Sequence, residues 1–363
     1  MPVLFDPWLA RSVARRVAGR DGVTGSYLHD RLARDLDRAI PRAEKLVAQA
    51  TGIRPPSPAR WKVIDRAQWA DANISGMIEL LRPLAEKLGE RSKRLPLPIR
   101  MAQRAVISVE VGALLGYVAR RVLGQYDLVV AAGGRRKDRS GDGVLYFVAT
   151  NLVETERRFG FVPEDFALWV AVHEITHRFQ FAGVPWLREH FLKLVHEYLE
   201  SVDLDARSLA ARLASAAARL ASRETPPEER NPVYLLASED QRARVDRIQA
   251  LMAVIEGHGN YVMDEVGARE IPSFSRMRAV FERRRAQQNA LQRAISHAIG
   301  LEMKLRQYEL GQTFCNEVAA QAGSDALARI WESPAALPTL AELRAPETWL
   351  ARLSGPASEL APA

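Results

Sequence analysis

The stretch "WVAVHEITHRFQF" (169–181) sets two histidines and a glutamate within five residues of a mostly apolar run. Imidazole and carboxylate are costly to bury without partners, so three such groups together need a reason. On a helix His173 and His177 stand at i and i+4, share one face, and can reach one ion. Glu174, one residue along, can hold a water beside that ion and take its proton. Zinc lowers the pKa of such a water towards neutrality, so the chemistry offered is metal-assisted hydrolysis. The competing reading is a pair of hydrogen-bonded core histidines.

Catalytic zinc takes three protein ligands and keeps one position open. The metzincin continuation of H-E-x-x-H needs glycine at 180 and histidine at 183; Gln180 and Gly183 stand there, which excludes it. The gluzincin arrangement takes a glutamate from a later helix, and "RVDRIQALMAVIEGHGNYVMDEVG" (244–267) contains the best candidate. Val245, Ile248, Met252, Ile255, Gly259 and Met263 form an apolar stripe, and Glu256 sits on it. A carboxylate there is expensive unless it meets a cation. A buried acid paired with a distant arginine is the alternative. Gly257 and Gly259 would permit close approach of another helix. Asn260, at i+4 from Glu256, could accept a hydrogen bond from a ligating imidazole. His258 lies nearly opposite Glu256 on the helix and is a weaker candidate, for a role near substrate. Tyr261 and Tyr308 could donate to an oxyanion, or simply pack. In "EHFLKLVHEYLE" (189–200) His190 and His196 are six apart, so that segment reads as solvated polar positions.

The elements that must position these residues read as mainly α with a small β-hairpin or sheet, an α+β fold. Apolar residues at three- and four-residue spacing predict a helix over 26–52 ending on Gly52, another over 60–89, and a long apolar helix from Ile99 to Gly124. "YDLVVAAGG" (126–134) and "VLYFVATNLV" (144–153) are β-rich runs around a polar, glycine-rich segment. Pro163 at the first helical position and Gly183 as the stop bound the motif helix. Residues 225–232 read as a loop. Ser238 and Gln241 form a capping box for a helix reaching about Val266, and further helical segments run from Ser273 to Ala322. The expected division is a helical region at 1–125 packing on the core, a catalytic region at 126–353, and a disordered tail at 354–363.

With 47% hydrophobic and 26% charged residues the chain affords a sizeable core. The single cysteine, Cys315, excludes an intrachain disulfide framework and a cysteine-based zinc site, and fits a reducing cytoplasm. No signal-peptide pattern opens the chain, and no run approaches about eighteen uninterrupted apolar residues. The expectation is a cytoplasmic protein with no membrane partner. Net charge is +7. The basic clusters at 133–139 and 282–288 are short and lack interleaved aromatics, so they read as solvated faces and a nucleic-acid role ranks last. No heptad seam indicates an oligomer.

Taken together, "DRAQWADANI" (65–74), "AVHEITHRFQF", "LMAVIEGHGNYVMDEVG" and "GLEMKLRQYELG" (300–311) resemble the zincin-like metallopeptidases of actinobacteria and relatives, a family labelled as associated with deazaflavin-coenzyme biosynthesis. The resemblance implies a zincin-like core, zinc ligands at His173, His177 and Glu256, and a catalytic Glu174. Where relatives carry aspartate after the glutamate this chain has Asn260, an amide that adds no negative charge. The function expected is a zinc-dependent hydrolase acting on a peptide or protein substrate, which in zincins lies extended along an edge strand. Ala149 to Leu152 is the stretch expected to offer that edge. The alternative is a catalytically weak or inactive zincin-scaffold binding protein.

Overall fold

A computed structural model describes residues 4–92, 96–127, 143–202, 237–286 and 301–354. In chain order the elements are α1 (Pro7–Ala18), α2 (Tyr27–Thr51), β1 (Trp61–Ile64), α3 (Arg66–Leu80), α4 (Arg82–Ser92), α5 (Leu97–Ala119), β2 (Gly124–Asp127) and β3 (Val144–Val148). There follow α6 (Ala149–Phe159), α7 (Pro163–Gly183), α8 (Leu187–Ser201), α9 (Glu239–Glu270), α10 (Phe274–Ala286) and α11 (Leu301–Ala322). Short 3-10 turns and two small helices, α12 (Leu340–Arg344) and α13 (Pro346–Ser354), close the described chain. The fold is mainly helical with one small mixed sheet. Two compact units divide it: Met1–Pro185 with Val262–Gln287, and Trp186–Tyr261 with Gln288–Ala363.

In the first unit the sheet order is β1-β3-β2. β1 runs parallel to β3, with Val63 opposite Phe147, and β2 runs antiparallel to β3, with Gly124 opposite Phe147. Leu145, Phe147 and Val148 of β3 are fully buried while Val144 and Tyr146 are half-buried, the alternation of a strand with one face wholly in the core. The motif helix α7 packs along α2 and touches β2 and β3. Its N-terminal half meets an aromatic group in which the Trp169 and Phe281 rings lie 4.8 Å apart. Arg31 of α2 donates to both Glu156 carboxylate oxygens, at 2.7 and 2.6 Å, tying α2 to α6.

Local chemistry explains most boundaries. Gly52 ends α2 in the left-handed region at φ 70°, its N–H returning to the Ala48 carbonyl at 3.1 Å. Asp65 and Gln68 make the reciprocal capping box that starts α3. Pro163 opens α7, with Glu164 and Asp165 in its first turn. Ser238 and Gln241 exchange the bonds of their capping box, at 2.9 and 3.3 Å, ahead of α9.

Three expectations are corrected. Residues 61–64 form β1 rather than helix; "WKVI" is too short to show a period, and Asp65 delays the helix to Arg66. α5 stops at Ala119, and Gly124 begins β2. Ala149 to Leu152 is helical, the first turn of α6, and β3 before it is paired on both sides. Neither can serve as an edge strand. The expected loop at 225–232 and tail at 354–363 lie outside the described residues, apart from Ser354.

In the second unit α11 packs against the 3-10 segment Ser324–Trp331 and against α12 and α13. Trp349 is fully buried there, its indole N–H donating to the Ala336 carbonyl at 2.8 Å. Cys315 is buried as a free thiol, and that burial pushes its pKa up.

Candidate metal centre

α7 is buried over most of its length, from Phe166 through Phe181. His173 and His177 stand one turn apart on it, half-buried, with their rings edge to face at 4.6 Å and their Nε2 atoms 3.1 Å apart. The Gln180 side-chain oxygen lies 3.0 Å from His177 Nδ1. An amide oxygen only accepts, so Nδ1 carries the proton and the Nε2 lone pair faces His173. Two imidazole nitrogens tetrahedrally bound to one zinc, at about 2.0–2.1 Å each, stand about 3.3–3.4 Å apart. The observed pair is close to that separation.

Glu174 is 6% exposed and rests against the first residue of β2. A Cβ on Gly124 would fall 2.7 Å from Glu174 Cγ and 2.8 Å from Cδ and Oε1. Glycine at 124 therefore gives the carboxylate its room. β2 is itself held by a reciprocal amide pair. Asn73 of α3 donates to Gln125 at 3.2 Å and Gln125 donates back at 3.1 Å. The next turn of α7 is anchored by Arg178, whose fully buried guanidinium pairs with Glu44 Oε1 at 3.0 Å and donates to the Ser57 carbonyl.

Glu256 belongs to α9, among the buried neighbours Val254, Ile255 and Gly257. At Gly257 the helix backbone touches α11: an added Cβ would lie 2.1 Å from the Gly311 carbonyl carbon. The close approach expected at Gly257 is thus real, and it fixes the backbone on which Glu256 stands. One ligand atom each from His173, His177 and Glu256 lie within 4.8 Å of one another, the one such group of three among the described residues. An acid and two imidazoles are the donor set that zinc accepts.

The weaker candidates fall elsewhere. His258 is buried and meets the Trp331 ring edge-on at 5.1 Å. Asn260 is buried and Tyr261 half-buried on α9. The Tyr308 side chain lies outside the described residues. His190 packs against Trp186 with ring centres 5.8 Å apart, and Glu197 stands 3.9 Å from Lys193 and 3.6 Å from Arg244. Gln180, Gly124, Asn73 and Arg178 are contributors that the sequence did not disclose. For Gln180 the i+3 spacing from His177 was the available signal.

A crystal structure from Chloroflexus aurantiacus, described as that of a supposed hydrolase with a novel fold, is similar to this chain at 33% identity and a TM-score of 0.71. The match covers 97% of this chain and 100% of that one. No curated protein matches at comparable stringency. The family model described as zincin-like metallopeptidase matches residues 6–350. That family implies a metal, typically zinc, and the His-His-Glu group has the donors for it. The chain belongs to the zincin-like metallopeptidase family.

Proposed function

We propose that this protein is a zinc-dependent hydrolase of peptide bonds with the gluzincin ligand set: His173 and His177 through Nε2, and Glu256 through its carboxylate. The observation that carries the reading is the mutual approach of those three donors within 4.8 Å. Zinc held there supplies Lewis acidity and makes a water acidic enough to lose a proton near neutral pH. Glu174 is the general base. Its carboxylate accepts that proton and passes it to the leaving amine nitrogen. Gln180 holds the His177 ring by accepting from Nδ1–H, which keeps Nε2 available as a donor. An extended substrate pairs with β2, the edge strand that carries Gly124, in place of the helical 149–152 segment.

Two measurements test this. Elemental analysis is expected to find one zinc per wild-type chain and a large loss in Glu256→Ala; equal zinc affinity in both removes Glu256 from the ligand set. Hydrolysis of a generic unfolded protein is expected to collapse in Glu174→Gln with zinc retained, and wild-type turnover by that variant removes the mechanism. Asn260, which adds no negative charge, is the observation behind a second reading, a metal-holding scaffold that docks a partner. Stoichiometric zinc with no hydrolysis across a broad peptide library would favour it.

A further inference from the structure

The long apolar helix α5 joins the core only through its C-terminal half, at Leu115 and Ala119. Over its length and composition it could cross a membrane, yet only 22% of that apolar window is buried. α1 covers one face of its C-terminal half. The backbone N–H of Asp6 donates to Ser108 Oγ at 2.7 Å, Gly112 meets the Ala10 carbonyl, and Gly116 meets that of Ala14. That parallel register starts α1 level with residue 108. Residues 97–107 therefore extend about 16 Å past it, at about 1.5 Å per residue, and all but the half-buried Arg100 are exposed.

What is exposed is apolar on most sides. Leu97, Ile99, Met101, Val106, Ile107 and Val109 are large and solvent-facing. At about 100° per residue they spread over an arc of roughly 280°. A helix that docks on a protein groove needs one stripe, at i, i+3, i+4 and i+7; this arc is far wider. The small-residue seam at Gly112 and Gly116, which would suit helix–helix pairing, is already occupied by α1. The remaining arc carries Arg100 and Arg104 one turn apart, and no acid precedes Glu110 in the helix. α1 likewise has no acid between Pro7 and Ala18, and it presents Trp8 at 76% exposure. A wide apolar arc on a projecting helix end, beside an arginine stripe whose side chains can snorkel to the headgroups, suits partial insertion into a bilayer. The arginines are what break the apolar run in the sequence and hide it from a search for uninterrupted spans.

We propose that the projecting half of α5 docks on an anionic lipid bilayer. The apolar arc enters the boundary between headgroups and acyl chains while Arg100 and Arg104 meet lipid phosphates. The test is flotation of the full-length protein with vesicles of phosphatidylcholine alone and of phosphatidylcholine with phosphatidylglycerol. Binding is expected to the anionic vesicles and to fall with salt. Ile99→Asp with Val106→Asp, both at exposed positions, is expected to abolish it. Arg100→Gln and Arg104→Gln are each expected to weaken it about fivefold. Circular dichroism and zinc content unchanged in the variants establish that the fold persists. Failure to bind the anionic vesicles overturns the proposal. So does an aspartate pair that leaves flotation intact, or one whose only effect, by sedimentation, is to convert a dimer to a monomer; that last result assigns the face to a second copy.

Discussion

Replacing Gly124 with alanine is expected to separate the base from the metal. The new Cβ would sit 2.7 Å from Glu174 Cγ and 2.8 Å from Cδ and Oε1, where carbon contacts ordinarily settle at about 3.5–4.0 Å. The carboxylate must then retreat by about 0.7–1.2 Å. A misplacement near 1 Å is worth about a hundredfold in rate, so kcat on an unfolded protein substrate is expected to fall by about that factor. The penalty for stability is small. The displaced atoms are the far end of a flexible side chain, and Gly→Ala restrains the unfolded chain by about 0.4–1 kcal/mol in compensation. His173 and His177 are not touched, so zinc affinity should be that of wild type. The assay is kcat and KM beside a zinc titration and a urea melt, with Glu174→Gln as the reference for complete loss of the base. Wild-type kcat in Gly124→Ala would refute the steric reasoning. Loss of zinc in step with activity would refute the division between base and ligands.

Four further outcomes follow from the geometry. Gln180→Leu removes the acceptor 3.0 Å from His177 Nδ1 and is expected to lower zinc affinity about 10–100-fold in a chelator competition, with the fold retained. Gly257→Ala forces a Cβ to 2.1 Å from the Gly311 backbone; because backbone must move, destabilisation of at least about 1–3 kcal/mol is expected by urea denaturation. Glu44→Ala strips the carboxylate from the fully buried Arg178 and should destabilise by about 3–5 kcal/mol, read in the same melt. Asp21 is pushed up by burial, but the Thr150 and Thr24 hydroxyls and the backbone N–H groups of Val23 and Thr24 outweigh this and hold its pKa at about 2. A folded-state pKa below the ordinary 3.8 gives stability that is present above that value and lost as pH falls towards about 2. The stability gap between wild type and Asp21→Asn should therefore close over that window.

The motif helix was legible because every signal agreed: Pro163 and Gly183 bound it, and histidines at i and i+4 need only one element to meet. Glu256 was legible for a different reason, as the one acid on an apolar stripe beside glycines. What the sequence concealed depends on other elements. Nothing around Gly124 predicts that a residue fifty positions later will lie on it, or that Asn73 will clasp Gln125. The continuous β-rich appearance of "VLYFVATNLV" masked a strand-to-helix change. All five residues from Ala149 to Val153 are buried along with Glu156, so the start of this helix shows no polar face that could have exposed it. Gln180 was read only as the failure of a metzincin pattern, although its spacing from His177 fits a ring acceptor. Two of the motifs carrying the family resemblance acquire physical roles: Asp65, Gln68 and Asn73 start α3 and secure β2, and Gly311 admits α9.

The sheet order constrains how a peptide could be read. β3 has β1 on one side and β2 on the other, so its backbone groups are already committed, and the N–H groups that follow it enter α6. Among the described strands, β2 is the edge that touches the motif helix. A substrate paired along it would pass over Gly124 and hence beside Glu174. β2 has only four residues, which limits the backbone bonds a substrate could make there to two or so, at about 1 kcal/mol net each. So short a ladder can align a chain but supplies little affinity. Selectivity among peptides must then come from side-chain contacts away from the strand. Gln125→Glu, which keeps an acceptor for the Asn73 amide N–H, should accordingly alter KM far less than Gly124→Ala alters kcat.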